Sequence, residues 1–465
     1  MDKIIIVGAG LGGLLLAFLL EKASLDYLIL ERMTTSTMPL EGGGVIPITS
    51  QIQPLLQQLG LLDALKQLAK PVSHISVYEA NQEQKGKILC NKLGAIDKTV
   101  SFSRYGYYTL VISRPELYNH LVGQLPKEKL LFGKQVENIV INSTRDSKAT
   151  CVCTDGSSYQ GIIIGADGAY SNVRLSLYRQ LKECGRLPAQ DHKPLQYQYR
   201  SLVGMTQPLD PDRFPVVKAE YSEIQVLVSK GSRPFSCWCV PMTRNRLCWL
   251  LDEELPGPID CPEVEDWSDM KETIQMTCEK FRALQSPLEN TLMGELFDLT
   301  PEGTMLSLPR EEGFHFTWTH GKIALMGDAC HKALVCGGQP FVQAGYDAVN
   351  LANLFYAYSR LVDQNASDTT ASGALTATSS CPLEDLAVRL RSYESDRRSD
   401  ALKAVQGSHV FGKIMSRQGW TGTMLRYIFL NYVPQFLVNS IIGDRLNSDR
   451  AQACFLPSVT MTNLD

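Results

Sequence analysis

Residues 3–31, KIIIVGAGLGGLLLAFLLEKASLDYLILE, decide how the chain begins to fold. Lys3 to Val7 is a short apolar run that ends in glycines, the pattern of a buried parallel strand. Leu14 to Glu21 reads as a helix and Asp26 to Glu31 as a second strand, which makes a βαβ unit. Gly8, Gly10 and Gly13 between strand and helix fit G-x-G-x-x-G. Gly8 permits the tight turn after the strand. Gly10, without a Cβ, lets backbone approach a pyrophosphate. Gly13 lets the helix pack close to the sheet. The free N–H groups and positive dipole end of the helix then face the phosphate charge. Glu31 closes the second strand about 20 residues on, where a carboxylate accepts hydrogen bonds from both ribose hydroxyls. Arg32 follows it. An arginine there suits a 2′-phosphate, but Glu31 argues against NADP in this pocket. An adenine dinucleotide is the expected ligand. The competing reading is a glycine turn of some other α/β protein, with Glu31 a solvated strand end.

The bulk numbers agree with an ordinary globular chain. It has 465 residues, 44% hydrophobic and 20% charged, with formal charge −4 and pI about 6.0. That length calls for two to four structural units, by the prior of roughly 100–200 residues each. No basic block stands out, so no nucleic-acid partner is expected. The thirteen cysteines are odd in number and irregularly spaced. Cys151/Cys153 and Cys237/Cys239 are two apart on strand-like runs, too close for a CxxC redox or zinc motif. They read as reduced, small apolar residues, and no metal site is expected. The opening MDKIIIVGAG lacks a basic n-region and a cleavage site, so a cytoplasmic chain is expected.

Further along, Pro54–Leu68 has helical leucine spacing. Residues 72–110 and 196–253 look β-rich, with strands at His74–Glu79, Glu223–Ser229 and Phe235–Val240. A helix follows Arg114. Val136–Ile141, Thr150–Thr154, Gly161–Gly165 and Lys322–Met326 read as strands. Glu263–Leu284, Phe341–Val362 and Leu383–Gln406 read as helices. The Ser/Thr/Ala-rich stretch 365–381 reads as a surface loop. The expected architecture is an α/β (α+β composite) fold: a Rossmann-like dinucleotide-binding domain, an inserted mixed β-sheet substrate domain and a C-terminal helical region. The nucleotide-binding part takes residues 1–72, 105–185 and 300–362. The substrate-binding sheet takes 73–104 and 186–299. A flexible loop at 363–382 and a helical region at 383–465 complete the chain.

Three more segments decide which dinucleotide is bound. Gly327-Asp328-Ala329-Cys330-His331-Lys332 follows a strand and leads to Gly337-Gly338 and a helix. Asp328 at a strand end offers an acceptor for ribityl hydroxyls. Gly337 and Gly338 allow backbone approach to a flavin ring, and the helix can turn its positive end toward the pyrimidine edge. Asp167-Gly168 follows the buried strand 161–165. Ser113-Arg114-Pro115 sets Arg114 just before a helix that Pro115 opens.

The order GAGLGG, ERM, SRPEL, GADGAYSNVR, GKIALMGDACHK resembles the class A flavoprotein monooxygenases of the para-hydroxybenzoate hydroxylase fold. YGYYTLVISRPELYNHL, YRSLVGMTQPLDPDRFP and ACFLP are similar to fungal members that act on hydrophobic secondary metabolites. The likeness covers residues 3–360 well and the tail loosely. It implies FAD as cofactor and NAD(P)H as co-substrate. Reduced flavin would react with O2 at C4a, and the hydroperoxide would hydroxylate or epoxidise an aromatic or terpenoid-type molecule. It implies that Gly8, Gly10 and Gly13 hold the pyrophosphate, Glu31 the adenosine ribose, and that Gly43 and Gly44 lie beside the flavin. It further implies that Arg114 touches the ribityl–phosphate region and Asp328 the ribityl and phosphate. Asp167 either bridges FAD and nicotinamide or is a structural strand-end carboxylate. No catalytic residue is identified, and His331 reads as structural.

The loop after His331 departs from the family pattern. Val335, Pro340, Phe341 and Val342 stand where a proline, a glycine, a small residue and an asparagine are common. Phe341 therefore falls in the loop closest to the isoalloxazine. Either the pocket is altered and more apolar, or oxygenase chemistry has been lost. A dehydrogenase or cyclase that inserts no oxygen and a non-catalytic FAD-binding protein are the rival functions. Tyr197, Tyr199, Trp238 and Trp249 either line the substrate pocket or belong to the core. The apolar stretch 420–442 either packs on the enzyme, contacts a membrane peripherally as an amphipathic helix, or spans it.

Overall fold

The structure, a computed structural model, describes residues 1–38, 43–80, 90–99, 102, 106–141, 149–229, 235–261, 270–334, 338–371, 386–416, 419–434, 437–438 and 451–459. Two sheets organise it. The first holds strands Ile4–Val7, Tyr27–Leu30, Leu130–Leu131, Ser158–Gly165, Ile323–Leu325 and Thr319–His320. Ile4–Val7 lies at its centre, parallel to Tyr27–Leu30 on one side and to Ser158–Gly165 on the other. Ile323–Leu325 continues the parallel run. Hairpin Val136–Ile141/Ala149–Cys153 attaches to the early part of Ser158–Gly165. Central parallel strands are covered on both faces and so are apolar along their whole length. Ile4, Ile5, Ile6, Ile162, Ile163 and Ile164 are all buried. The sheet is built from pieces far apart in sequence, as the scattered strand runs suggest.

Helix Leu11–Lys22 and helix Gln339–Ala371 pack together against this sheet. A glycine permits their close approach: a Cβ on Gly12 of the first would sit 3.0 Å from Ala344 Cβ of the second. The long helix runs to Ala371, so the first part of the stretch expected as loop is helical. Once a helix is nucleated, each further residue costs little, and Ala, Ser, Asp and Thr do not stop it. The rest of that stretch, 372–385, lies outside the described residues. Pro54–Leu68, expected as one helix, is two: Gln53–Gln58 and Leu62–Leu68. Gly60 breaks them at φ +77°, a left-handed conformation in which the leucine periodicity cannot continue.

The second sheet is larger and mixed. Its order is His331–Lys332, Leu306–Phe314, Gln196–Met205, Leu247–Asp260, Phe235–Pro241, Ser222–Ser229, Lys70–Ala80, Leu110–Ser113, Val45–Ile48, with Cys90–Asp97 also on Lys70–Ala80. It therefore takes in strands on both sides of the segments assigned to it from sequence. Strands Val45–Ile48 and His331–Lys332, from segments read as nucleotide-binding, form its two edges. One face is covered by Phe281, Met293, Leu296 and Phe297. The other is covered by Phe411, Met415, Phe429 and Leu430 of helices Leu386–Ser416 and Gly419–Asn431. The i,i+2 cysteines Cys151/Cys153 and Cys237/Cys239 are buried free thiols. Cys248 is a further buried free thiol, and burial pushes it up to about 12.

The C-terminal apolar stretch is anchored by a charge. Arg426 is buried and pairs with buried Glu79 at 3.2 Å, and Thr423 also bonds that carboxylate. No helix among the described residues is long and apolar enough to cross a membrane. Residues 451–459 return to the first unit: Ala453 N–H donates to Gln58 at 2.8 Å, and Phe455 stacks on Tyr356.

Candidate functional site

The glycine turn has the geometry its sequence calls for. Gly8 has φ +102°, and a Cβ there would meet Ala166 O at 2.6 Å. A Cβ on Gly13 would sit 2.2 Å from Gly8 O. Gly10 differs: the nearest atom to its missing Cβ is Ala166 O at 3.8 Å, so the protein does not fill that space. Gly10 is also the N-cap of helix Leu11–Lys22, and no side chain caps it. The amides of that first turn are left for a ligand. Glu31 stands beside them, with Ala9 N–H donating to its Oε2 at 2.6 Å and Met33 N–H to its Oε1 at 2.8 Å. Arg32 is exposed at the same strand end.

Three other segments converge on this turn. Ala344, in the first turns of the long helix, meets both Gly12, 3.0 Å from its Cβ, and Gly327, 3.4 Å from it. The returning loop runs along the Arg114 segment: Arg114 N–H donates to Gly44 O at 2.9 Å, and Gly43, at φ +90°, lies against Pro115. Gly338, at φ +71°, lies against Pro47 of the strand that follows Gly44, where a Cβ would sit 2.8 Å from Pro47 Cγ. Arg114 is exposed and its guanidinium has no ion pair among the described residues. Its charge reaches Tyr118, whose hydroxyl is pushed up to about 12, first by burial and then by Glu31. The convergence is therefore a glycine-walled cleft with an uncommitted guanidinium at one side and a capless helix end at the other. Those features fit a dinucleotide diphosphate.

Asp328 is half-buried and ion-paired with Lys332 at 2.5 Å. Its loop is held from behind by groups that sequence reasoning missed. Asp347 is fully buried and accepts from Gly327 N–H at 2.8 Å, His331 Nε2 at 2.6 Å and Arg397 Nε at 2.9 Å. Burial opposes its charge, but His331 and Arg397 hold the carboxyl down at about 2. Arg397 also donates to Gln343 Oε1 at 2.7 Å, and Tyr393 O–H to Leu325 O at 2.9 Å. His331 is thus a structural residue. Arg397 and Tyr393 lie about 60 residues beyond the motif, in a charged helix whose sequence carries no motif at all.

Asp167 is also committed. Its Oδ1 accepts from Ser171 O–H at 2.6 Å and its Oδ2 from Val173 N–H at 3.1 Å, at the start of helix Asn172–Glu183. Burial raises its pKa and those bonds lower it. Arg174, buried in the next turn, donates to Ala169 O at 2.5 Å and Ala329 O at 2.8 Å. It ties the Asp167 loop to the Asp328 loop.

Gly337 and Val335 lie outside the described residues. Pro340 sits in the first turn of the long helix, where its missing N–H has no intrahelical partner to lose. Phe341 was expected beside the flavin. It is buried in the main core cluster with Val342. Of the four candidate pocket aromatics, Tyr199 and Trp238 line a cavity on the second sheet. Trp249 does not: it is fully buried, donates to Thr300 at 2.8 Å and packs on Phe297. Tyr197 is outside the cavity lining.

That cavity lies between the second sheet, Leu334 at the end of the Asp328 segment, and Gly412 and Met415 of helix Leu386–Ser416. It is partly open, and its roughly 450 Å³ of empty space includes solvent at the mouth. Its floor is polar. Asp252 accepts from Ser201 at 2.5 Å and pairs with Arg310 at 2.7 Å, and Ser236 joins both Asp252 and the Trp238 N–H.

Comparison with known proteins agrees with this geometry. A family described as an FAD binding domain matches residues 1–189. FAD-dependent monooxygenase ctvC of Aspergillus terreus (strain NIH 2624 / FGSC A1156) is 27% identical, over 98% of this chain and 87% of its own length. FAD-dependent monooxygenase anuJ of Penicillium roqueforti (strain FM164) is 24% identical over 99% of this chain, which spans only 53% of that longer protein. Among solved structures, Klebsiella pneumoniae HpxO complexed with FAD and uric acid has a TM-score of 0.68 at 20% identity, covering 95% of each chain. The last shares the fold. With a cleft fit for a flavin dinucleotide, the chain carries the FAD binding domain match over residues 1–189 and is similar to FAD-dependent monooxygenases along nearly its whole length.

Proposed function

We propose that this enzyme oxygenates a hydrophobic small molecule of aromatic or terpenoid type, held against the second sheet, with FAD in the glycine-walled cleft. The observation that carries the reading is the open space beside Gly10, at a helix N-terminus that no side chain caps, with Glu31 next to it and Ala344 joining Gly12 to the loop of Asp328. When bound, the flavin accepts hydride from NAD(P)H and supplies O2-activating chemistry. The chain's residues do the rest. Gly8, Gly10, Gly13 and the first helix turn receive the diphosphate. Glu31, already oriented by two backbone amides, accepts from the adenosine ribose, and Arg32 flanks it. Arg114 and Asp328 bind the ribityl–phosphate part, and Gly43, Gly44 and Gly338 give the ring close backbone. Asp167 keeps its own helix capped and so fixes the loop that Arg174 joins to Asp328. The cavity walled by Trp238, Tyr199, Leu334 and Met415 excludes water from the reacting face.

Arg114→Met tests the diphosphate assignment. It is expected to weaken FAD binding by roughly tenfold to hundredfold, the worth of one or two charge-assisted hydrogen bonds. Fluorescence titration of apoprotein reads this, and unchanged affinity would remove Arg114 from the site. The activity test is anaerobic mixing of the yellow holoenzyme with NADPH or NADH. Bleaching accelerated by an apolar aromatic or terpenoid, followed by oxygen-18 from O2 in the product, is the expected result. A flavin inert to both nicotinamides would contradict it.

A peripheral membrane contact through residues 420–442 belongs to the same reading. Helix Gly419–Asn431 turns Arg426, Phe429 and Leu430 inward and exposes Met424, Leu425, Tyr427 and Ile428, with Tyr432 and Leu437 beyond. Amphipathic helices with aromatic edges bind at the headgroup boundary. Flotation with phosphatidylcholine vesicles is expected, and Leu425→Glu with Ile428→Glu should abolish it. Wild type left at the bottom of the gradient ends this part of the reading.

A further inference from the structure

The cavity's charges are arranged unevenly. Among the described residues that line it, Asp252, Glu254 and Arg310 are the ionisable groups of fixed charge. Arg310 is spent inside the protein: it pairs with Asp252 at 2.7 Å and also bonds Ser201, whose hydroxyl is itself on Asp252. Both members of that pair are almost fully buried. Glu254 is different. It has no ion pair among the described residues; its Oε1 accepts a long, 3.2 Å hydrogen bond from the neutral amide of Gln198, and the Tyr199 hydroxyl also bonds its carboxylate, so both of its partners are neutral. Burial pushes its carboxyl up, with the Tyr199 hydroxyl working the other way. The rest of the wall is apolar or aromatic: Tyr199, Phe235, Trp238, Leu334 and Met415.

We infer that this cavity selects an uncharged or cationic, largely apolar molecule that presents an O–H or N–H donor to Glu254, and that it rejects carboxylates. The inference rests on the proposed reading of the cavity as the substrate site and names the chemistry it takes. A carboxylate ligand would meet a net negative lining whose one guanidinium is already neutralised. Breaking the Arg310–Asp252 pair to recruit that cation would leave Asp252 buried without compensation. A phenol, alcohol or indole N–H meets a ready acceptor, and donation to a charged acceptor in a part-buried site is the strong kind of hydrogen bond. An ammonium at the same place gains attraction as well.

Calorimetric titration of the FAD-loaded enzyme at neutral pH with three shape-matched probes decides the matter: 2-naphthol, 2-naphthoate and 2-naphthylmethylamine. We expect the naphthol and the amine each to bind at least about tenfold more tightly than the naphthoate, the usual scale of one unfavourable charge contact. Glu254→Gln should shrink that gap severalfold, with most of the change in the amine and the naphthoate. Trp238→Ala should weaken all three, because it removes a wall they share. The naphthoate binding as tightly as the naphthol to wild type would overturn the inference without any variant. A gap unmoved by Glu254→Gln, or binding indifferent to Trp238→Ala, would overturn it too. Flavin reduction by NADPH is followed separately. If the probes rank as expected yet none speeds that reduction, the cavity's chemistry stands and its reading as the substrate site falls.

Discussion

Gly10→Val is expected to yield a folded but colourless protein. The wild-type backbone leaves the space beside Gly10 open, with no protein atom nearer than 3.8 Å to the missing Cβ. The valine Cβ therefore meets no close protein contact, and the backbone conformation, φ −62° and ψ 169°, is open to any residue. The branched side chain instead fills the place where the diphosphate must touch backbone amides. Losing several charge-assisted bonds of about 1.5–3 kcal/mol each should lower FAD affinity by three orders of magnitude or more, roughly. The flavin-to-protein absorbance ratio after reconstitution reads the loss, and circular dichroism should match wild type. Gly13→Val makes the contrast. Its Cβ would sit 2.2 Å from Gly8 O, so that variant should lose solubility as well as colour. A yellow Gly10→Val protein would show that the diphosphate lies elsewhere.

Asp347→Ala should be the most destabilising of the single changes considered. It strands Arg397 and removes the acceptor that holds Gly327 N–H, both in full burial. Breaking a buried pair from one side costs about 3–5 kcal/mol. A thermal melt of the apoprotein reads the loss, and FAD retention should fall with it because the Asp328 loop is no longer held. The pH dependence has a definite sign. The folded carboxyl is held at about 2, below its ordinary 3.8. Its contribution is therefore complete above about pH 4 and disappears as pH falls through about 2. Asp347→Asn should be less stable than wild type at neutral pH, and the difference should shrink across that acid window. A difference that held constant down to pH 2 would mean that the carboxylate's charge is not what stabilises the loop.

The parts legible in sequence were those where chemistry forces a residue type at a fixed spacing. The glycine turn could be placed because Gly8, Gly10 and Gly13 each answer a local steric demand. Glu31 followed because a strand end fixes its distance from that turn. The parallel strands were visible because burial on both faces makes them apolar throughout. Supports assembled through space left no such mark. Arg397 and Tyr393 sit in a helix of mixed charge, and only tertiary packing brings them to Asp347. Arg174 was inside a quoted motif, yet its reach to Ala329 depends on two loops meeting. Gly60 was a visible break, overridden by leucines that kept helical spacing on either side. Arg426 is a charge within an apolar stretch, and Glu79, almost 350 residues earlier, makes it the anchor of that helix.

The most direct measurement is the affinity of the apoprotein for FAD against FMN, by quenching of flavin fluorescence. Glu31 and the amides after Gly10 address the adenylate half, so FAD should bind one to one and turn the protein yellow, with FMN weaker by at least about a hundredfold. FMN binding as tightly as FAD, or no flavin binding at all, would contradict the account.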